Sequence, residues 1–445
     1  MTQRPDWRHV TITLVFLAAV VVTATLPRTA WPEVLGAYAL AFIAYTVVIA
    51  RWGLPPVRLR YWIAVAVLAR FLMLFCFPNL SDDIYRFIWD AEQTLQGTNP
   101  YDVVPSEVIP ADSSLRQSGI YPALNSPDYH TVYPPIGQGL FALASLLGGL
   151  DWFTFALVLK LFFLAAECLT IRIMYQILKR KGQSSRVLIY ALNPLVIVEL
   201  VGNVHLEAFV ILGLVLAIYY LEKRKLAGVA AGFALGIGAK LLPAMLVPLL
   251  VRRLPIRRFI WLTIMLGTAC LVLFLPMLRS DLLAGAGSSI NLYFQKFEFN
   301  ASLYYIARWI GYQLEGYNLI ATIGPLLAGL TVLIVAMIVA FERGPHRSNF
   351  ARAAMFGLTA YLLLATTVHP WYVCPLVALC VFTRYRYAVA WSAVVFVSYA
   401  AYRTPAYDED LLLIAISYLV VLAWLAFEIR KFTRHPRDAP AIRDS

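Results

Sequence analysis

Charge is scarce in this sequence. Only 14% of its 445 residues are charged, and acids are the scarcer sign, with 25 Asp and Glu against 37 Lys and Arg. Soluble domains carry about 25% charged and about 45–50% apolar residues. Here 61% are apolar, which excludes an ordinary soluble fold. Cysteine is sparse as well. Cys76, Cys168, Cys270, Cys374 and Cys380 are scattered through apolar segments with no C-x-x-C spacing, so neither a disulfide framework nor a zinc site is indicated. The apolar runs do not alternate with polar residues, which excludes a membrane β-barrel. No internal repeat is evident, which argues against a transporter built from inverted repeats.

What is present is a succession of apolar runs of about 17–25 residues, the length a spanning helix requires. In lipid only helices or closed barrels satisfy the backbone, so the expected fold is an all-α polytopic membrane protein. The net charge of +12 is not a nucleic-acid signature, because the basic residues sit in short clusters between apolar runs. Placing those clusters on the cytoplasmic side orients the chain. Residues 10–26 read as a retained first helix rather than a cleaved signal peptide, since a second run follows at 34–50. Arg51, Arg58 and Arg60 mark an inner turn, residues 61–77 lead outward, and the Lys179-Arg180-Lys181 cluster ends an inward span from 152.

Residues 226–251 have basic clusters at both ends, which one span cannot accommodate. They are expected to form a hairpin of two short helices broken at Ala239-Lys240-Leu241-Leu242-Pro243. A break at membrane depth is tolerated where it is buried or lines a cavity. The whole reads as about 14 helices. It is expected to form a single integral-membrane domain over 1–445, with both termini inside and two outer loops, 78–151 and 279–317. The expected location is the inner membrane, with the functional side facing the periplasm.

The first outer loop holds the one long polar interval, residues 78–135. Long unstructured loops are uncommon and usually functional. Ser81-Asp82-Asp83-Ile84 reads as a helix start with Ser81 as N-cap, and Asp82, Arg86 and Asp90 share the polar face of a surface helix. Residues 134–150 read as a second helix lying in the outer interface. Acids at a helix start gain about 0.3–1 kcal/mol from the dipole with no further role. Their place at the mouth of a long outer loop favours chemistry instead.

His205 and Glu207 stand in another outer turn, and Lys240 interrupts the hairpin. An ionisable residue at membrane depth is costly and marks a cavity or a partner, the bland alternative for Lys240 being snorkelling. Lys160 and Glu167, in one span, read as a simple buried pair. The stretch Phe294-Gln295-Lys296-Phe297-Glu298-Phe299-Asn300 precedes a helix that Asn300 is expected to cap, at 301–311. His369-Pro370-Trp371-Tyr372 reads equally as a site motif or as part of an aromatic belt.

These residues carry a resemblance. Ser81-Asp82-Asp83-Ile84-Tyr85-Arg86, Gly97-Thr98-Asn99-Pro100-Tyr101 and Tyr133-Pro134-Pro135 resemble the first outer loop of the GT-C superfamily of integral-membrane glycosyltransferases. The similarity is greatest to bacterial polyprenyl-phosphate-mannose-dependent mannosyltransferases. Gly202-Asn203-Val204-His205-Leu206-Glu207, Ala239-Lys240-Leu241-Leu242-Pro243, Phe299-Asn300 and His369-Pro370-Trp371-Tyr372 follow in the family's order. Many relatives have His-Asn-Asp in the second turn, where this chain has His205-Leu206-Glu207.

The resemblance implies transfer of a sugar, a hexose such as mannose, from a polyprenyl-phosphate donor to an acceptor hydroxyl of a glycolipid or glycan. It implies no cofactor and leaves the metal requirement open. A hydroxyl nucleophile needs a carboxylate base, Asp82 or Asp83. The phosphate leaving group needs cationic and hydrogen-bonding support, for which Lys240, Arg86 and Lys296 are candidates. Asp90, Tyr133, His205, Glu207, Asn300, His369 and Tyr372 complete the expected substrate-contact set. The alternatives are a transporter or flippase of lipid-linked sugars and a surface-glycan polymerase or ligase.

Overall fold

A backbone in lipid finds no hydrogen-bond partner outside itself, so each apolar run closes its own ladder as a helix. The computed structural model describes residues 7–50, 55–108, 117, 119–149, 151–275, 297–404 and 407–434. Six helices there are long and apolar enough to cross a membrane: Trp7–Thr25, Trp31–Ile49, Trp152–Arg180, Ile256–Phe274, Ile320–Phe341 and Leu411–Arg434. Counted as one span, the pair Ser184–Ala191 and Pro194–Gly202, bent by 57°, makes a seventh. The protein is an all-α, multi-pass membrane protein. The chain divides into two compact units, Met1–Leu80 with Glu167–His205 and His369–Ser445, and Ser81–Ala166 with Leu206–Val368.

In the first unit, proline sets several helix starts. Pro32, Pro56 and Pro194 fall in the first turns, where a missing N–H costs nothing. Asn193 caps the last of these, its Oδ1 accepting from the N–H groups of Leu195 and Val196. The helices are tied by phenols that reach main chain. Tyr38 donates to the carbonyl of Ser392 at 2.5 Å and Tyr45 to that of Ile189 at 2.7 Å.

The buried charge in this unit has a partner distant in sequence. Glu167 pairs with Arg70 at 2.9 Å. Tyr190 donates to its other oxygen at 2.5 Å, and Arg70 also donates to the carbonyl of Ala191 at 2.6 Å. The two partners are 97 residues apart, so no local spacing could have revealed the pairing.

The second unit is built on a helical hairpin. Glu207–Glu222 and Leu226–Ala239 are joined by a tight turn in which Arg224 is left-handed, with φ +57°. Glycine lets them approach backbone to backbone. A Cβ on Gly213 would stand 2.5 Å from the carbonyl oxygen of Gly232 and 2.7 Å from the nitrogen of Gly236. Small residues at a helix crossing are the usual means of such close packing in membranes. After Ala239 the backbone turns extended at Lys240 and resumes as a 3-10 stretch, Leu242–Leu250. The expected broken hairpin over 226–251 is therefore present, with its break at Lys240.

Candidate active site

Ile84, Phe87, Ile88 and Ala91 recur at helical spacing, and their burial seats the Asp83–Leu95 helix against Pro135–Gly148. Phe87 stacks on Phe141 with centroids 4.2 Å apart, and Tyr133 meets Phe87 edge-on. The N-cap of this helix is Asp82, not Ser81. Ser81 acts from one position earlier, its hydroxyl accepting from the N–H of Asp83 at 3.3 Å.

Asp83 is half-buried. Its Oδ1 accepts from Asn125 Nδ2 at 3.1 Å, and Tyr133 also hydrogen-bonds to it. Loss of hydration holds its carboxyl above the ordinary carboxylate range, and the charge of Asp82 adds to the shift. Asn125, Lys240 and Tyr133 pull the other way. Lys240 enters because the glycine-packed hairpin is antiparallel, which brings the end of one helix to the start of the other. Its Nζ lies 2.5 Å from Oε1 of Glu207. Glu207 is nearly sealed from solvent, while the Lys240 side chain keeps 31% exposure. Asp82, Asp83, Tyr133, Glu207 and Lys240 thus form one group within the second unit.

Arg86 and Asp90, expected on the polar face of a surface helix, are both buried. Asp90 is fully buried, with Oδ1 accepting from Arg86 Nε at 2.8 Å and Oδ2 accepting from Gln138 at 2.9 Å and from Thr131. Arg86 donates to the carbonyls of Ser126 and Tyr129 at 3.1 and 2.8 Å. This network fixes the segment that includes Asn125 and ends in Tyr133, the two residues that hydrogen-bond Asp83.

In the second loop, Lys296 lies outside the described residues. Asn300 does not cap the following helix, which runs Leu303–Glu315 with Ser302 as N-cap. Asn300 is left-handed, with φ +47°, and its amide donates to the carbonyl of Val368 at 3.0 Å. Glu298 collects Arg308, Tyr304 and Asn318, which folds this helix back on its own loop.

The first unit holds a second group. The imidazole of His205 stacks on Trp371 with centroids 3.5 Å apart, and His369 stacks on the same indole at 4.4 Å. Tyr372 meets His369 edge-on. Sequence reasoning missed the residue behind them, Glu199, which is fully buried in the π-helical stretch Ile197–Gly202. An acid inside an apolar span was the available signal. Asn125, Gln138 and Tyr399 carried no comparable mark. Among the described residues, no three His, Cys, Asp or Glu side chains group closely enough to hold a metal ion.

The chain is thus a multi-pass helical protein that sets a half-buried carboxyl, Asp83, near the Lys240–Glu207 ion pair. The family described as alpha-(1->6)-mannopyranosyltransferase, N-terminal domain, matches residues 6–255, more than half of the chain, and this chain belongs to it. The matched stretch contains Asp82, Asp83, His205, Glu207 and Lys240. No curated protein and no solved structure matches the chain.

Proposed function

We propose that this glycosyltransferase moves a mannose residue from a polyprenyl-phosphate donor to an acceptor hydroxyl of a glycan or glycolipid, on the outer face of the cell membrane. Asp83 is the base. The acceptor oxygen attacks the anomeric carbon, its proton passes to the Asp83 carboxylate, and the bond from that carbon to the phosphate oxygen breaks. The electron pair leaves on the polyprenyl phosphate, whose charge the Lys240 ammonium balances. Asp82 and Glu207 keep the acid–ammonium group in register.

The observation that carries this reading is the raised proton affinity of Asp83 next to the Lys240–Glu207 pair. A carboxylate tuned upward is the better proton acceptor near neutral pH. An apolar groove supports a lipid donor. It has a volume of about 660 Å³ and is lined by Ile136, Ala234, Trp261, Met265 and Thr268, among others. Gly238 sits at its margin, where a Cβ would touch Ile136 and Leu273, two residues before Lys240. The groove suits a prenyl chain whose phosphate lies toward the ammonium.

The test is transfer from radiolabelled polyprenyl-phosphate mannose in membranes carrying Asp82→Asn or Asp83→Asn. Loss in Asp83→Asn supports the assignment. Full activity in Asp83→Asn overturns it, as would proteoliposomes that flip the lipid without forming a glycosidic bond.

A further inference from the structure

One carboxylate in the first unit reaches toward two motifs at once. Oε2 of Glu199 accepts from Asn203 Nδ2 at 3.3 Å and lies 3.3 Å from Nε2 of His205. Its Oε1 accepts from the Tyr399 hydroxyl at 2.8 Å. Asn203 in turn accepts, through Oδ1, from the main-chain N–H of Leu80 at 3.3 Å. Leu80 directly precedes Ser81-Asp82-Asp83, and His205 stands two residues before Glu207. The acid therefore holds the backbone on which the proposed base is carried and the imidazole ahead of the buried acid of the lysine pair.

The local backbone is shaped for this contact. A π-helical turn adds a residue to the helical repeat and recurs at functional sites. Here it spans Ile197–Gly202 and turns Glu199 toward Asn203 and His205. The next residue but one, Val204, is left-handed with φ +56°, which a β-branched side chain adopts only under strain. Such strain persists where surrounding contacts over-determine it. The contacts are the Glu199 carbonyl, which accepts from the N–H of His205, and the Trp371 ring under the imidazole.

We propose that Glu199 is a positioning residue for glycosyl transfer, acting through Asn203 on the Leu80 main chain and through His205 on the turn that carries Glu207. The inference rests on the transferase reading above, and it has a readout that does not. In Glu199→Gln, the neutral amide loses the charge opposite His205 and can no longer accept from every present donor. Amide hydrogen exchange of peptides covering residues 76–83 and 200–207 rises in this variant. The kcat falls about 100-fold, the scale expected when reacting groups shift by an ångström, while the donor KM changes by less than twofold. Glu199→Asp recovers part of kcat.

Unchanged exchange and kcat in Glu199→Gln overturn the proposal. So does a loss confined to thermal stability. If that variant fails to accumulate, Asn203→Ala cuts the Leu80 link while keeping the carboxylate. Faster exchange at residues 76–83 with lowered kcat then supports the proposal, and wild-type values for both overturn it. A wild-type protein that transfers no sugar, yet shows the exchange change in Glu199→Gln, refutes the transferase reading and leaves the tether standing.

Discussion

Nζ of Lys240 lies 2.5 Å from Oε1 of Glu207, although 33 residues separate them. The pair exists because two helices of 16 and 14 residues run antiparallel and cross at glycines, so that the break after one meets the start of the other. Removing the ammonium in Lys240→Ala leaves Glu207 buried without its counter-charge and takes a positive neighbour from Asp83. The expected loss in kcat/KM is about 10²–10³-fold. Kinetics of the single and double variants with Glu207→Gln check it. A double variant no worse than Lys240→Ala marks the two as one unit.

The acid limb of the pH profile follows from the neighbours of Asp83. A base acts only when ionised, so kcat/KM rises with pH through the raised Asp83 titration. Asn125→Ala removes a hydrogen bond that favours the ionised form, and the limb moves to higher pH. Asp82→Asn removes a like charge, and the limb moves to lower pH. Initial rates from pH 4 to 9 with a lipid-linked donor measure both displacements, which have opposite signs.

Asp90 anchors the loop. In Asp90→Ala, Arg86 stays buried with its charge uncompensated. Breaking such a pair costs about 3–5 kcal/mol, whereas replacing both partners by apolar residues of similar size is often neutral. Thermal unfolding in nanodiscs should therefore show a large drop for Asp90→Ala and a smaller one for Arg86→Met with Asp90→Leu.

Gly213 tests the hairpin. An alanine there drives its Cβ into the backbone of Gly232 and Gly236, which cannot yield as a flexible side chain would. Gly213→Ala is expected to lower both thermal stability and transfer. Gly267→Ala, where a Cβ meets nothing within 4 Å, is the matched control and should change neither.

The groove predicts a donor-specific defect. Thr268 lines it and is exposed, so Thr268→Trp fills the space without disturbing packing. Donor KM should rise about tenfold, corresponding to about 1.4 kcal/mol of lost apolar contact, with acceptor KM unchanged. A series of donors with shortened prenyl chains would lose this difference.

Apolar runs by themselves determined that this protein is helical and multi-pass, because lipid leaves the backbone no other way to satisfy itself. The interruption of residues 226–251 by Lys240, and the acids at the start of the Asp83–Leu95 helix, were equally legible as local breaks in pattern. Partner choice was not. Arg86 and Asp90 share a helical spacing that suggested the polar face of a surface helix, yet both are buried against residues 126–138. Glu167 meets Arg70, Glu207 meets Lys240, and Glu199 gathers Asn203, His205 and Tyr399. Sequence sets which residues must find a partner, since a charge in an apolar surrounding is costly. Which partner each one finds depends on how closely helices pass and at what register, and that was decided by packing over tens to hundreds of residues.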